Sequence, residues 1–163
     1  MKHVLSVLVK NRTGVLVRVA SMFSRREFNI DSLAVGITES PEFSRITLVV
    51  HGDEYLVDQM MKQLEKLPEV EAVQRLDDGS SVYRGMTMIK VKADDTNRLD
   101  VLKMAELFRA RVIDVQPTTL IFEVTCDDDK VTAFTRLLKP YGILEIIRTG
   151  LIGLERGEHT IQE

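Results

Sequence analysis

Two hydrophobic periods alternate along this chain, and their order constrains its fold more than any other feature. A period of two marks half-buried strands; a period near 3.6 marks amphipathic helices. His3–Val9 reads as a strand. A helix is expected from Val15 to about Arg26, with Leu16, Val19, Ala20 and Phe23 along one face. Strands follow at Ile30–Thr38 and Phe43–His51, separated by a turn at Glu39–Glu42. A helix over Glu54–Leu67 would bury Val57, Met60, Met61 and Leu64, and Val70–Leu76 closes the set as a strand. The polar run Asp77–Ser81 then reads as a linker. After it the order returns. Met86–Ala93 is a strand, and Val101, Met104, Ala105 and Phe108 mark a helix. Arg111–Val115 and Thr119–Thr125 are strands, Val131, Phe134 and Leu138 mark a last helix, and Ile143–Thr149 is a closing strand. The order β-α-β-β-α-β makes a four-stranded antiparallel sheet with both helices on one face. The expected class is therefore α+β, with two ferredoxin-like βαββαβ plaits at residues 1–77 and 82–163.

Such a sheet has a second face, and polar residues should occupy it where it meets water. The first strand instead places Val4 and Leu8 on one face and Leu5, Val7 and Val9 on the other. Something should cover that second face or extend the sheet. Self-association is the economical expectation, because an unpaired edge strand is a liability.

The sequence argues against several function classes. Net charge is −3, so nothing suggests the basic surface that nucleic-acid binding requires. The plait also serves as an RNA-recognition fold, but that use needs aromatics on the central strands, and "HVLSVLV" has none. No apolar run approaches the roughly 20 residues of a membrane helix. The single cysteine, Cys126, fits a reducing cytoplasm, and no signal-peptide pattern opens the sequence. His3, His51 and His159 lack metal-ligand spacing. Asp127-Asp128-Asp129 could form a metal cluster, but reads more simply as a helix-capping run. Cys126 reads as a strand residue rather than a nucleophile, and Glu155–His159 as a solvated tail. No catalytic residue and no resident metal or cofactor are expected.

One junction has a chemistry of its own. "KNRTGVLVRVA" carries the chain from the first strand into the first helix. The helix N-terminus offers free backbone N–H groups and a positive dipole end, which suit an anion. Gly14 would clear the approach. The loop has one glycine and no Lys-Ser/Thr pair, so a carboxylate suits it better than a phosphate. Asn11 can both donate and accept, which fits an amino acid's carboxylate or ammonium. Val15 and Leu16 would touch an apolar side chain. Asn29 and Ile30, at the start of the second strand, form a second such element. A purely structural role is equally open, with Thr13 or Asn11 capping the helix and Asn29 making a turn.

The stretch "LSVLVKNRTGVLVRVASMFSRREFNIDSLAVG" resembles an ACT domain. Together with "SRITLVVHGD", "QLEKLPEVEAVQRL", "FRARVIDVQPTTLIFEVT" and "IIRTGLIGLERG", it resembles the small regulatory subunits of acetohydroxyacid synthase (acetolactate synthase) from about Lys2 to Gly157. The resemblance implies a non-catalytic, cytoplasmic protein of branched-chain amino acid biosynthesis. It implies binding to a large catalytic subunit, activation of that subunit, and feedback inhibition by a branched-chain amino acid, valine foremost. Thiamine diphosphate, magnesium and FAD would belong to the large subunit. The effector would sit between two ACT domains of a homodimer. One chain would give Asn11, Gly14, Val15 and Leu16, the other Asn29 and Ile30. The second plait would contact and activate the catalytic subunit. Against this stand two alternatives: a stand-alone amino-acid sensor acting on another enzyme or a transcription factor, and a small enzyme. No helix-turn-helix or basic segment favours the transcriptional case.

Overall fold

The structure is a computed structural model that describes residues 1–126 and 128–162, and of Asp128 only the backbone. The elements run β1 (Lys2–Lys10), α1 (Val15–Arg25), β2 (Ile30–Ile37), β3 (Phe43–His51), α2 (Glu54–Leu64), β4 (Val70–Leu76) and β5 (Ser81–Lys92). They continue with α3 (Arg98–Leu107), β6 (Arg111–Val115), β7 (Thr119–Cys126), α4 (Asp128–Leu138), a 3-10 turn at Lys139–Tyr141, β8 (Ile143–Arg148) and β9 (Ile152–Glu155). The α+β class holds, with two sheets. The chain divides into two compact units: Met1–Tyr83 together with the segment from Leu151 onward, and Arg84–Gly150.

In the first unit the strand order is β2-β3-β1-β4. β1 is central, pairing antiparallel with β3 from Lys2↔His51 to Lys10↔Phe43, and with β4 from Val4↔Leu76 to Val9↔Val70. Leu5, Val7 and Val9 point to one face and meet Val19 and Phe23 of α1 and Val57, Met60 and Leu64 of α2. Each such side chain, fully buried, contributes about 1.5–3 kcal/mol relative to exposure. The buried face of α1 is Val15, Val19, Met22 and Phe23. Leu16 and Ala20, expected on that face, are exposed. The glycine at the start of the helix makes Val15 its first residue, and the stripe through Val15, Val19, Met22 and Phe23 turns Leu16 and Ala20 outward.

The second face of this sheet is covered differently from expectation. Val4, Val49 and Leu76 cluster there with Leu151 and the half-buried Tyr83. The segment from Leu151 onward belongs to this unit, β9 pairs with β5, and Ile161 is also buried. The apolar residues on that side of β1 are therefore explained by the chain itself, without a second copy. Nor is the expected solvated tail free. Glu155 accepts a hydrogen bond from Gln74 Nε2, and the Arg156 N–H donates to Ser80 O at 2.7 Å. The residues 151–162, expected with the second domain, thus group with the first.

Asp77–Ser81 is a turn rather than a linker. The Ser80 N–H donates to Asp77 O at 3.1 Å, and buried Ser81 already begins β5. The unit boundary falls within β5, after Tyr83. Tyr83 Oη donates to Leu76 O at 2.7 Å, and burial pushes its phenol pKa above the ordinary tyrosine value.

The second unit has the order β6-β7-β5-β8. Ile89, Val91, Leu120 and Phe122 of the sheet meet Val101 of α3 and Phe134 and Leu138 of α4. Phe134 stacks on Phe108 at a centroid distance of 5.0 Å and meets Phe122 edge-on at 6.0 Å. Of the Asp127–Asp129 run, Asp127 and the Asp128 side chain lie outside the described residues. Cys126 ends β7, as a strand residue. Among the described residues no helix is long and apolar enough to cross a membrane.

Candidate functional site

Gly14 is the N-cap of α1, with φ 87° and ψ −9°, a left-handed conformation that glycine adopts without strain. A Cβ built on it would meet nothing within 4 Å. Within one chain, then, the backbone conformation demands glycine, and the space above it is open. No side chain caps the helix. Asn11 Nδ2 donates instead to Pro41 O at 3.0 Å, so the amide is turned toward the β2–β3 turn and braces the loop. The Val15 N–H makes a long bond to Arg12 O at 3.4 Å, and the intrahelical ladder begins with the Arg18 N–H donating to Gly14 O at 3.0 Å. The start of α1 thus presents N–H groups that no side chain takes up, with the positive end of the helix dipole behind them. Leu16, 41% exposed, borders this opening, whereas Val15 is buried at 5% and its side chain belongs to the core.

The other expected pair lies elsewhere. Asn29 precedes β2, and its Nδ2 donates to Asp31 Oδ1 at 2.9 Å. Asp31 in turn pairs with His51 Nδ1. Ile30 is half-buried against the core. Register fixes the separation of the two groups. Ile30 is level with Val50, and Val50 with His3, whereas the Asn11 loop follows Lys10 at the other end of β1. His3 and Lys10 are seven residues apart, roughly 23 Å at about 3.3 Å per residue. An amino acid cannot touch both groups of one chain.

Two features escaped the sequence reading. Arg12 is exposed beside the helix start, and among the described residues its guanidinium has no ion-pair or hydrogen-bond partner. Asp31 places a carboxylate beside Asn29. The i, i+2 spacing of Asn29 and Asp31 at a strand start was the available signal, since such residues share a face. Among the described residues no group of three or more His, Cys, Asp or Glu could hold a metal ion.

The plait that opens its first helix on Gly14 is an ACT domain, and residues 5–72 match the family model described as AHAS small subunit-like ACT domain. Residues 84–157 match a second model, the small subunit of acetolactate synthase. An acetolactate synthase small subunit of Mycobacterium bovis is 48% identical, the match covering 98% of this chain and 95% of that protein. One of Mycolicibacterium smegmatis is 45% identical over 98% and 94%. The crystal structure of the acetolactate synthase small subunit from Thermotoga maritima superimposes with a TM-score of 0.90 at 38% identity, covering 98% of this chain and 99% of that one. The chain belongs to the acetolactate synthase small-subunit family.

Proposed function

We propose that this chain is the non-catalytic regulatory subunit of a cytoplasmic acetolactate synthase. It binds the large catalytic subunit, raises its activity, and makes it sensitive to feedback by a branched-chain amino acid, valine foremost. Thiamine diphosphate, magnesium and FAD are the catalytic subunit's groups, and no residue of this chain is assigned to them. The first unit binds the effector and forms the homodimer; the second contacts and activates the catalytic subunit.

The observation that carries the effector reading is the uncapped start of α1 behind Gly14. The effector carboxylate meets those N–H groups, with Arg12 beside them, and Leu16 touches the side chain. The ammonium then needs an acceptor, which Asn29 and Asp31 provide. Their distance along the sheet calls for a second chain. β2 is an edge strand. Antiparallel pairing of β2 with its copy would set the start of one strand against the end of the other. Ile37, at that end, is level with Ser44, and Ser44 with Val9, one residue before Lys10. The second copy's Asn29 would therefore come to the end of the sheet that carries the Gly14 loop. Exposed Val35 and Ile37 on this edge support the pairing, since burial would stabilise them.

Reconstitution tests the proposal. The chain added to the large subunit should raise acetolactate formation, and valine should inhibit the complex but not the large subunit alone. Unchanged activity on addition would remove the regulatory reading; activation without any valine response would remove the effector part alone.

A further inference from the structure

A groove of about 640 Å³ runs in the first unit between α1 and the end of α2. Val17, Met22 and Leu67 give it an apolar wall, and Val17 is 67% exposed. Arg18, Arg25, Arg26 and Lys66 stand around that wall, and no carboxylate lines the groove. Helix α1 contains no Asp or Glu at all. Arg18 is neutralised by Glu69 at 2.5 Å, and Arg26 donates to the neutral Gln63 amide at 2.7 Å. For Arg25 and Lys66 no ion pair exists among the described residues. A chain of net charge −3 thus concentrates three cations without an anionic partner around the exposed Val17.

We propose that this groove is a docking surface of the first unit for an acidic, amphipathic helix of the catalytic subunit; this rests on the regulatory-subunit reading and adds a contact to that made by the second unit. Charge selects the partner: carboxylates at the edges of the incoming helix meet Arg25, Arg26 and Lys66. Exposed Val17 gives an apolar ridge of that helix its seat. The stretch from Val17 to Arg25 rises about 12 Å at 1.5 Å per residue, the length of two turns, which matches a helix laid into a groove. A small phosphate would leave Val17 uncovered, and no aromatic lines the groove to stack a nucleic-acid base.

The test uses the whole chain with its catalytic subunit. Three proteins are titrated into it: the unaltered chain, Arg25→Glu combined with Lys66→Glu, and Arg156→Glu as a control that reverses one charge at an exposed side chain outside the groove. Valine calorimetry on each checks that the first unit is folded. We expect the double variant to need about tenfold more protein for half-maximal activation, with unchanged valine affinity. Arg156→Glu should titrate like the unaltered chain, and raised salt should weaken the unaltered chain more than the double variant. An unchanged titration of the double variant, while the unaltered chain activates, overturns the docking surface and leaves the regulatory function standing. No activation by the unaltered chain overturns both. Retention of a short DNA duplex by the unaltered chain, lost in the double variant without change in activation, also overturns it in favour of a nucleic-acid surface.

Discussion

Gly14 meets two demands that a single substitution can separate. Its φ of 87° makes most side chains costly there, by about 1–2 kcal/mol, while Asn tolerates that conformation best. The space above it is open, so bulk alone is no obstacle within the chain. Gly14→Asn should therefore fold with modest loss of stability and lose valine affinity moderately. Gly14→Asp adds a negative charge where a carboxylate must arrive, and valine inhibition of the reconstituted synthase should fall by about ten- to a hundredfold. Activation by a folded Gly14→Asp chain should persist. Tyr83 offers a second test. Burial keeps its phenol protonated at pH values where the unfolded chain has lost the proton. The resulting stabilisation is complete below the unfolded tyrosine value and is lost as pH rises through the folded one. Tyr83→Phe should cost ~1 kcal/mol at neutral pH, for the bond to Leu76 O, and should flatten the alkaline limb of a stability profile. Gly14 was legible in the sequence because a lone glycine between strand and helix is rare without cause. The orientation of Asn11 toward Pro41 was not, since an amide's partner depends on where a turn thirty residues away comes to lie.

The strands and helices of both units were legible wherever hydrophobic period and turn residues agreed. β3 and β4 occupy the expected residues. Helix α1 begins at the expected residue yet presents a different face, because Leu and Ala at neighbouring positions fit the same period as the true core residues. β9 was missed. Four residues, Ile152–Glu155, are too short to show alternation, and two of them are exposed. Its glycine nevertheless has a packing reason. A Cβ on Gly153 would lie 2.7 Å from Tyr83 Cδ1 and 2.9 Å from Leu76 Cδ1. Gly153→Ala should destabilise the first unit by about 1–3 kcal/mol, read from its denaturant midpoint. At the β2 edge of the first sheet, Val35→Asp with Ile37→Asp changes two exposed side chains. That pair should leave the monomer's stability within about 1 kcal/mol and abolish dimerisation in light scattering. A dimer that survives both charges would place the interface away from β2.

At the scale of the whole molecule, the polar run at Asp77–Ser81 misleads because turn chemistry and linker chemistry use the same residues. The real division falls after Tyr83, and the first unit is completed by residues from the far end of the chain. A chain ending at Gly150 should therefore expose Val4, Val49 and Leu76, and its first unit should unfold at lower denaturant than in the full chain. The central claim is that each effector site takes its helix start from one chain and Asn29 from another. A purified heterodimer of one Gly14→Asp chain and one Asn29→Ala chain tests it most directly. In a shared site, one of the two sites combines both substitutions, and the other has an unaltered loop facing an unaltered Asn29. Calorimetry should then find one valine of ordinary affinity per heterodimer, where each parent homodimer binds weakly. A heterodimer that binds valine as weakly as its parents would contradict the account and return the site to a single chain.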